Sequence, residues 1–191
     1  MRLRQLEQDL LQETVGSQDQ VNAAYGGFNH ITFHQSGEIS VRPVIVPSDR
    51  LEELTSHLML FYTGIKRTAD KVAGSYVPSL EAKRRQLRIL RDMVEEALSI
   101  LCGHGPIKEY GELLHEGWLA KQAISDKISN AAIAELYDAA RSAGAIGGKI
   151  TGAGGGGFML LFVPPQHQPE VREKLNTLLH VPFNFEKAGS Q

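Results

Sequence analysis

Apolar positions along the chain fall into two periods, and the change between them divides it. Leu3, Leu6, Leu10 and Leu11 share one face at helical spacing near the start. Two short runs follow, Phe28 to Phe33 and Ile39 to Val46, with Gln35-Ser36-Gly37-Glu38 between them as a hairpin turn. After Pro47-Ser48-Asp49 the pattern becomes mostly helical. A buried strand is predicted over Ser56 to Tyr62, then a helix around Ala69 to Tyr76 that Pro78 ends. A long helix from about Ser79 to Leu101 carries Leu87, Leu90, Val94, Leu98 and Leu101 as its stripe. Gly103 and Gly105 stop it, and Pro106 opens another helix to about Ser125. Asn130 caps a helix through Ala143, ended by Gly144. Beyond it lie two strands around a glycine-rich loop, a helix from about Gln168 to Leu179 and a short strand from Val181 to Glu186.

Short connections between neighbouring strands imply antiparallel pairing, with helices layered mainly on one face. The fold class is α+β. Its boundary falls near Pro47, separating residues 1–47 from residues 48–191.

The loop is the least ordinary stretch. Gly152-Ala153-Gly154-Gly155-Gly156-Gly157 supplies no packing side chains and frees the backbone for left-handed conformations and close approach. Successive N–H groups on such backbone suit an anion, although a tight structural corner would use the same residues. The string also matches G-x-G-x-x-G through Gly152, Gly154 and Gly157. A dinucleotide fingerprint needs a helix after the loop, whereas Phe158 to Val163 is a strand stopped by Pro164-Pro165. A P-loop is excluded because Gly148-Lys149 is followed by Ile150.

Composition narrows the picture further. Over 191 residues the net charge is −2 with mixed signs, which points to neither nucleic acid nor an acidic membrane surface as a partner. One cysteine, Cys102, excludes a disulfide framework and fits a reducing compartment. No apolar run approaches the roughly 20 residues of a membrane span, and MRLRQLEQDLLQ has no signal-peptide core. A cytoplasmic globular protein is expected.

Other candidate chemistry is sparse. Asp19, between Gln18 and Gln20 after Gly16-Ser17, suits a hydroxyl-activating carboxylate or metal ligand, while local spacing by itself favours a helix cap. His30 and His34 lie about 13 Å apart in an extended strand, too far to share a zinc ion. Cys102 and His104 lack the second pair a structural zinc site needs. Arg67, three residues after Gly64 in a strand-to-helix turn, could meet a substrate oxygen or form a surface ion pair.

Together these stretches resemble the GHMP family of sugar and isoprenoid kinases. Lys149-Ile150-Thr151-Gly152-Ala153-Gly154-Gly155-Gly156-Gly157 is similar to its C-terminal glycine motif. Three further stretches match most closely the heptose phosphate kinases within it: Gly16-Ser17-Gln18-Asp19-Gln20, Ala23-Ala24-Tyr25-Gly26-Gly27-Phe28-Asn29, and Phe61-Tyr62-Thr63-Gly64 with Arg67. The resemblance implies ATP- and Mg²⁺-dependent phosphorylation of a sugar phosphate, with D-glycero-D-manno-heptose 7-phosphate the nearest match. Asp19 would stand beside the attacking hydroxyl. Gly152, Ala153, Gly154, Gly155 and Gly156 would shape the phosphate side with backbone N–H groups, and Gln18, Gly26, Gly27, Thr63, Gly64 and Arg67 would hold the sugar phosphate.

A ferredoxin-like C-terminal domain is implied over residues 48–191, after a remnant of an N-terminal domain over residues 1–47. The Gly-Leu-Gly-Ser-Ser type loop that wraps ATP phosphates in the family does not occur among these 191 residues. The resemblance therefore leads us to expect weak turnover or none by the chain alone, and self-association or a separate N-terminal half as its partner. The alternative is a non-catalytic module that binds a sugar phosphate or a partner chain.

Overall fold

A computed structural model describes residues 16–66, 81–152 and 154–190. Arg67, Ala153, the leucine-patterned start and the helix expected around residues 69–76 lie outside the described residues.

The first elements are α1 (Gln18–Tyr25) and an antiparallel pair, β1 (Asn29–Phe33) with β2 (Ile39–Pro43), in which Ile31 faces Val41. None of these three elements contains a fully buried residue. The next helix, α2 (Ser48–His57), runs directly into β3 (Leu58–Tyr62). A strand beginning at Ser56 is therefore corrected. The Thr55 hydroxyl bonds back to the Leu51 carbonyl and the Ser56 hydroxyl to that of Glu53, so both polar side chains fold onto the last helical turn.

Three helices follow: α3 (Arg84–Cys102), α4 (Lys108–Gln122) and α5 (Ala131–Ser142). Asn130 caps α5 as expected, its side chain accepting from the Ile133 N–H at 3.1 Å. The stripe expected on α3 is only partly covered. Leu101 is buried, whereas Leu87 and Val94 keep more than a third of their surface open. Next come β4 (Gly147–Ile150), β5 (Phe158–Phe162), a 3-10 turn at Pro165–His167, α6 (Gln168–Lys174) and β6 (Leu179–His180). The last strand is thus earlier and shorter than expected. Phe183 and Phe185 pack on each other, and Phe185 on Phe28, instead of continuing the sheet.

The main sheet has the order β4-β5-β3-β6, antiparallel at every junction. Numbered within residues 58–180, that is 2-3-1-4, the ferredoxin-like arrangement, with three helices among the described residues of its first crossover. Met59, Phe61, Ile150, Met159 and Leu161 alternate onto one face and are all buried against Ile133, Tyr137, Ala140, Val171 and Leu175 of α5, α6 and the turn after it. At the end of the opposite face, Phe162 meets Leu54, Leu101 and Ile107. This packed sheet fixes both ends of the glycine loop, which joins β4 to β5. Among the described residues no helix is long and apolar enough to cross a membrane.

Candidate active site

The loop between β4 and β5 is clamped from three sides. From β3, the Thr63 N–H and hydroxyl both donate to the Gly157 carbonyl at 2.8 Å, and the Gly157 N–H returns a bond to the Ile65 carbonyl at 2.9 Å. Ahead of α5, the Ile128 carbonyl accepts from the Gly155 N–H at 2.7 Å, while Asn130 Nδ2 donates to the Gly155 carbonyl at 3.3 Å. From the end of α4, Lys121 Nζ donates to the Gly152 carbonyl at 2.5 Å.

These contacts explain the glycines one by one. A Cβ on Gly156 would overlap the Ile65 carbonyl oxygen, and one on Gly154 would sit 2.8 Å from that of Ile128. Gly154, Gly155 and Gly156 are buried. Gly152 and Gly157 differ. Both have positive φ and nothing lies within 4 Å of where a Cβ would stand, but only Gly152 is exposed, since the N–H and carbonyl of Gly157 are both taken up by the clamp. The loop therefore has a packed half that anchors it and an accessible rim at Gly152. Two N–H groups, those of Gly155 and Gly157, serve the anchoring.

Asp19 lies exposed in the first turn of α1. Ser17, not Asp19, holds the cap position, and its side chain makes no capping bond, so the cap reading of Asp19 is corrected. Its carboxylate lies close enough to Lys121 to favour that ammonium's charge. Burial and the neighbouring Lys149 act the other way and are stronger, lowering Lys121 from the usual 10.5 to about 8. Lys149 is itself held below the usual lysine range by burial. The structure thus joins Asp19, Lys121 and Gly152 in one electrostatic neighbourhood, and Thr63 and Gly64 to the far end of the loop.

Gly26 and Gly27 have a different setting. The Gly27 N–H donates to the Glu186 carbonyl at 2.8 Å, a Cβ on Gly26 would overlap the Ala188 backbone, and the Ser190 N–H bonds to the Ala23 carbonyl. Their turn is the seat of the C-terminal tail. Gln18 is exposed one residue before Asp19. Lys121 and Asn130's second role went unread in the sequence. A lysine near a helix end resembles any solvated cation, and a cap residue gives no sign of what its amide nitrogen will reach.

The comparisons with known proteins bear on the same residues. The model of the family "GHMP kinases C terminal" matches residues 93–181, from within α3 to just past β6 and including the glycine loop. Residues 93–181 form a GHMP kinase C-terminal domain. Among curated proteins, the chain is 29% identical over 163 residues to the D-glycero-alpha-D-manno-heptose 7-phosphate kinase of Campylobacter jejuni, covering 84% of this chain and 48% of the relative. It is 31% identical over 172 residues to the mevalonate kinase of Thermococcus sibiricus, covering 85% and 46% respectively. A crystal structure of a D-glycero-D-manno-heptose 1-phosphate kinase from Bacteroides thetaiotaomicron superposes with a TM-score of 0.68 at 27% identity, over 97% of this chain and 51% of that one. The chain spans about half the length of the relatives it matches. The GHMP match accords with the α+β reading and with the glycine motif as its marker.

Proposed function

We propose that this chain forms the acceptor-side wall of an ATP-dependent sugar phosphate kinase, with D-glycero-D-manno-heptose 7-phosphate as the substrate. One observation carries the reading: Lys121 Nζ holds the Gly152 carbonyl of a family-type glycine loop, and the Asp19 carboxylate is near enough to favour the charge of that same ammonium. The heptose kinases among the relatives support the sugar; the mevalonate kinases support only the phosphotransfer class.

The reaction forms a bond between the acceptor oxygen and the γ-phosphorus of ATP and breaks the bond to ADP. Catalysis of this kind is mainly positioning and charge stabilisation. In this reading Asp19 orients the acceptor hydroxyl and takes its proton. Lys121 keeps the Gly152 end of the loop in place and adds positive charge beside it. The clamp of Thr63 on Gly157 fixes the other end.

The residues present suit a phosphate group at the Gly152 rim, where backbone is bare and a cation stands close. ATP would supply the transferred phosphoryl group. For Mg²⁺ the chain offers less. No group of three His, Cys, Asp or Glu residues that could hold a metal occurs among the described residues. Asp19 is the carboxylate placed to contribute, which agrees with the habit of Mg²⁺ of taking one or two carboxylates together with substrate phosphates.

The division at residue 47 belongs to the same proposal. Tyr25, Phe33 and Ile45 expose large apolar side chains on the first part of the chain, a surface suited to a second copy or a separate N-terminal half. The test is an ADP-release assay with the purified chain, ATP, Mg²⁺ and heptose 7-phosphate, alongside thermal-shift titrations with each ligand. We expect stabilisation by heptose 7-phosphate that Asp19→Asn and Lys121→Met reduce, with slow turnover. Stabilisation by neither ligand, with no turnover, would overturn the reading.

A further inference from the structure

A second cleft, of about 240 Å³, opens between α3 and α4. Met93, Val94 and Ala97 line one side and Leu114 the other, so its wall is almost wholly apolar. Its charged groups are of one sign, and Tyr110 adds a hydroxyl to the lining. Lys121 and Lys149 both line it, and neither forms an ion pair with a carboxylate among the described residues. Trp118 lines it as well. That side chain is 1% exposed, and its indole N–H has no hydrogen-bond partner. A buried, unpaired donor is costly to leave so. An apolar cleft with two cations and a buried unpaired donor, and no carboxylate among its lining residues, has the composition of a site for an acid on an apolar body.

We infer that this cleft binds a small amphipathic anion, an alkyl or aromatic body seated on Met93, Val94, Ala97 and Leu114 with a phosphate or carboxylate head facing Lys149 and Lys121. Its volume lies below the roughly 300–1,000 Å³ of pockets for drug-sized ligands, which limits the body to a short chain or a single ring system. Partial burial of both ammonium groups strengthens their attraction for an anion relative to surface lysines. The inference does not depend on the kinase reading, although the two sites share Lys121, whose Nζ also holds the Gly152 carbonyl.

Trp118 is the one tryptophan of the chain and so a reporter already in place. Its fluorescence is followed while octyl phosphate, octanoate, octanol or inorganic phosphate is added to the 191-residue protein. We expect saturable changes with octyl phosphate, octanoate or both, the stronger of the two naming the head group. Octanol, which lacks the charged contact, and inorganic phosphate, which lacks the apolar body, should each bind at least about tenfold more weakly. Lys149→Met should weaken the better probe by a similar factor. Ala97→Phe, which fills the cleft without touching either lysine, should abolish the response while the circular dichroism spectrum stays native. No saturable change with either acid, an equal response to octanol, or undiminished binding in both variants would overturn the inference.

Discussion

The two ends of the candidate site are built differently. The glycine loop is anchored by the residues just past β3, by the segment before α5 and by the end of α4, over a sheet face on which Met59, Phe61, Ile150, Met159 and Leu161 are all buried. Asp19 stands on α1, an eight-residue helix with no buried residue, beside a two-stranded ribbon that is only half-covered. A helix of that length is marginal alone, and so is an isolated hairpin. Among the described residues, backbone bonds to the tail at residues 186–190 and the packing of Phe28 on Phe185 and on the cluster of Leu54, Leu101, Ile107 and Phe162 tie this region to the rest. One wall of the site is thus preorganised by a core, while the acidic group opposite stands on a short helix that buries no residue of its own.

The contrast breaks most sharply in the core. Leu161→Ala removes a fully buried side chain from the sheet face under α5 and α6 and should lower unfolding free energy by about 2–5 kcal/mol in urea titrations. Next is Gly156→Ala, where the new methyl group meets the Ile65 carbonyl. Overpacking of this kind costs about 1–3 kcal/mol, and amide exchange at residues 154–157 should quicken with it. Gly26→Ala meets the tail backbone just as closely. We expect it to release residues 186–190 to rapid exchange while the urea midpoint of the main sheet stays unchanged. Equal losses of global stability from Gly156→Ala and Gly26→Ala would erase the contrast.

A smaller effect is the pH dependence that Lys121 contributes. Its pKa is lowered in the folded state, so folding carries the cost of a disfavoured charge at all pH values below about 8. Between about 8 and the usual 10.5 the unfolded chain holds more protons than the folded one, and stability from this group rises with pH. Lys121→Met should remove that rise. Measured against the variant, the wild type should gain ground from pH 8 to pH 10 and show no change in the difference from pH 6 to pH 7. The smallest effect belongs to Phe33→Ser on the exposed ribbon, expected within about 0.5 kcal/mol of wild type.

Much of this arrangement was legible in the residues. The six-residue apolar run after a glycine string, with Pro164 to stop it, identified a strand-loop-strand corner and excluded a dinucleotide fold. Asn130 followed by an apolar period announced a capped helix, and that cap formed. What escaped were contacts between distant segments. Val181 to Glu186 reads as a strand by period, but its phenylalanines were claimed by each other and by Phe28. Ser56 and His57 look like the approach to a strand, yet hydroxyl bonds to preceding carbonyls kept them helical. Lys121 carries no local mark at all. Its role exists only because the end of α4 arrives beside a loop 31 positions further along.

The central claim is that Asp19, Lys121 and the glycine loop compose one binding wall. It is tested most directly by titrating the ¹⁵N-labelled chain with heptose 7-phosphate and following backbone amide shifts. The account predicts saturable shifts at Asp19, Gly152 and Gly157 with one shared affinity, reduced together in Lys121→Met. Shifts at the loop that leave Asp19 unmoved, or no saturable shifts at any of the three, would contradict it.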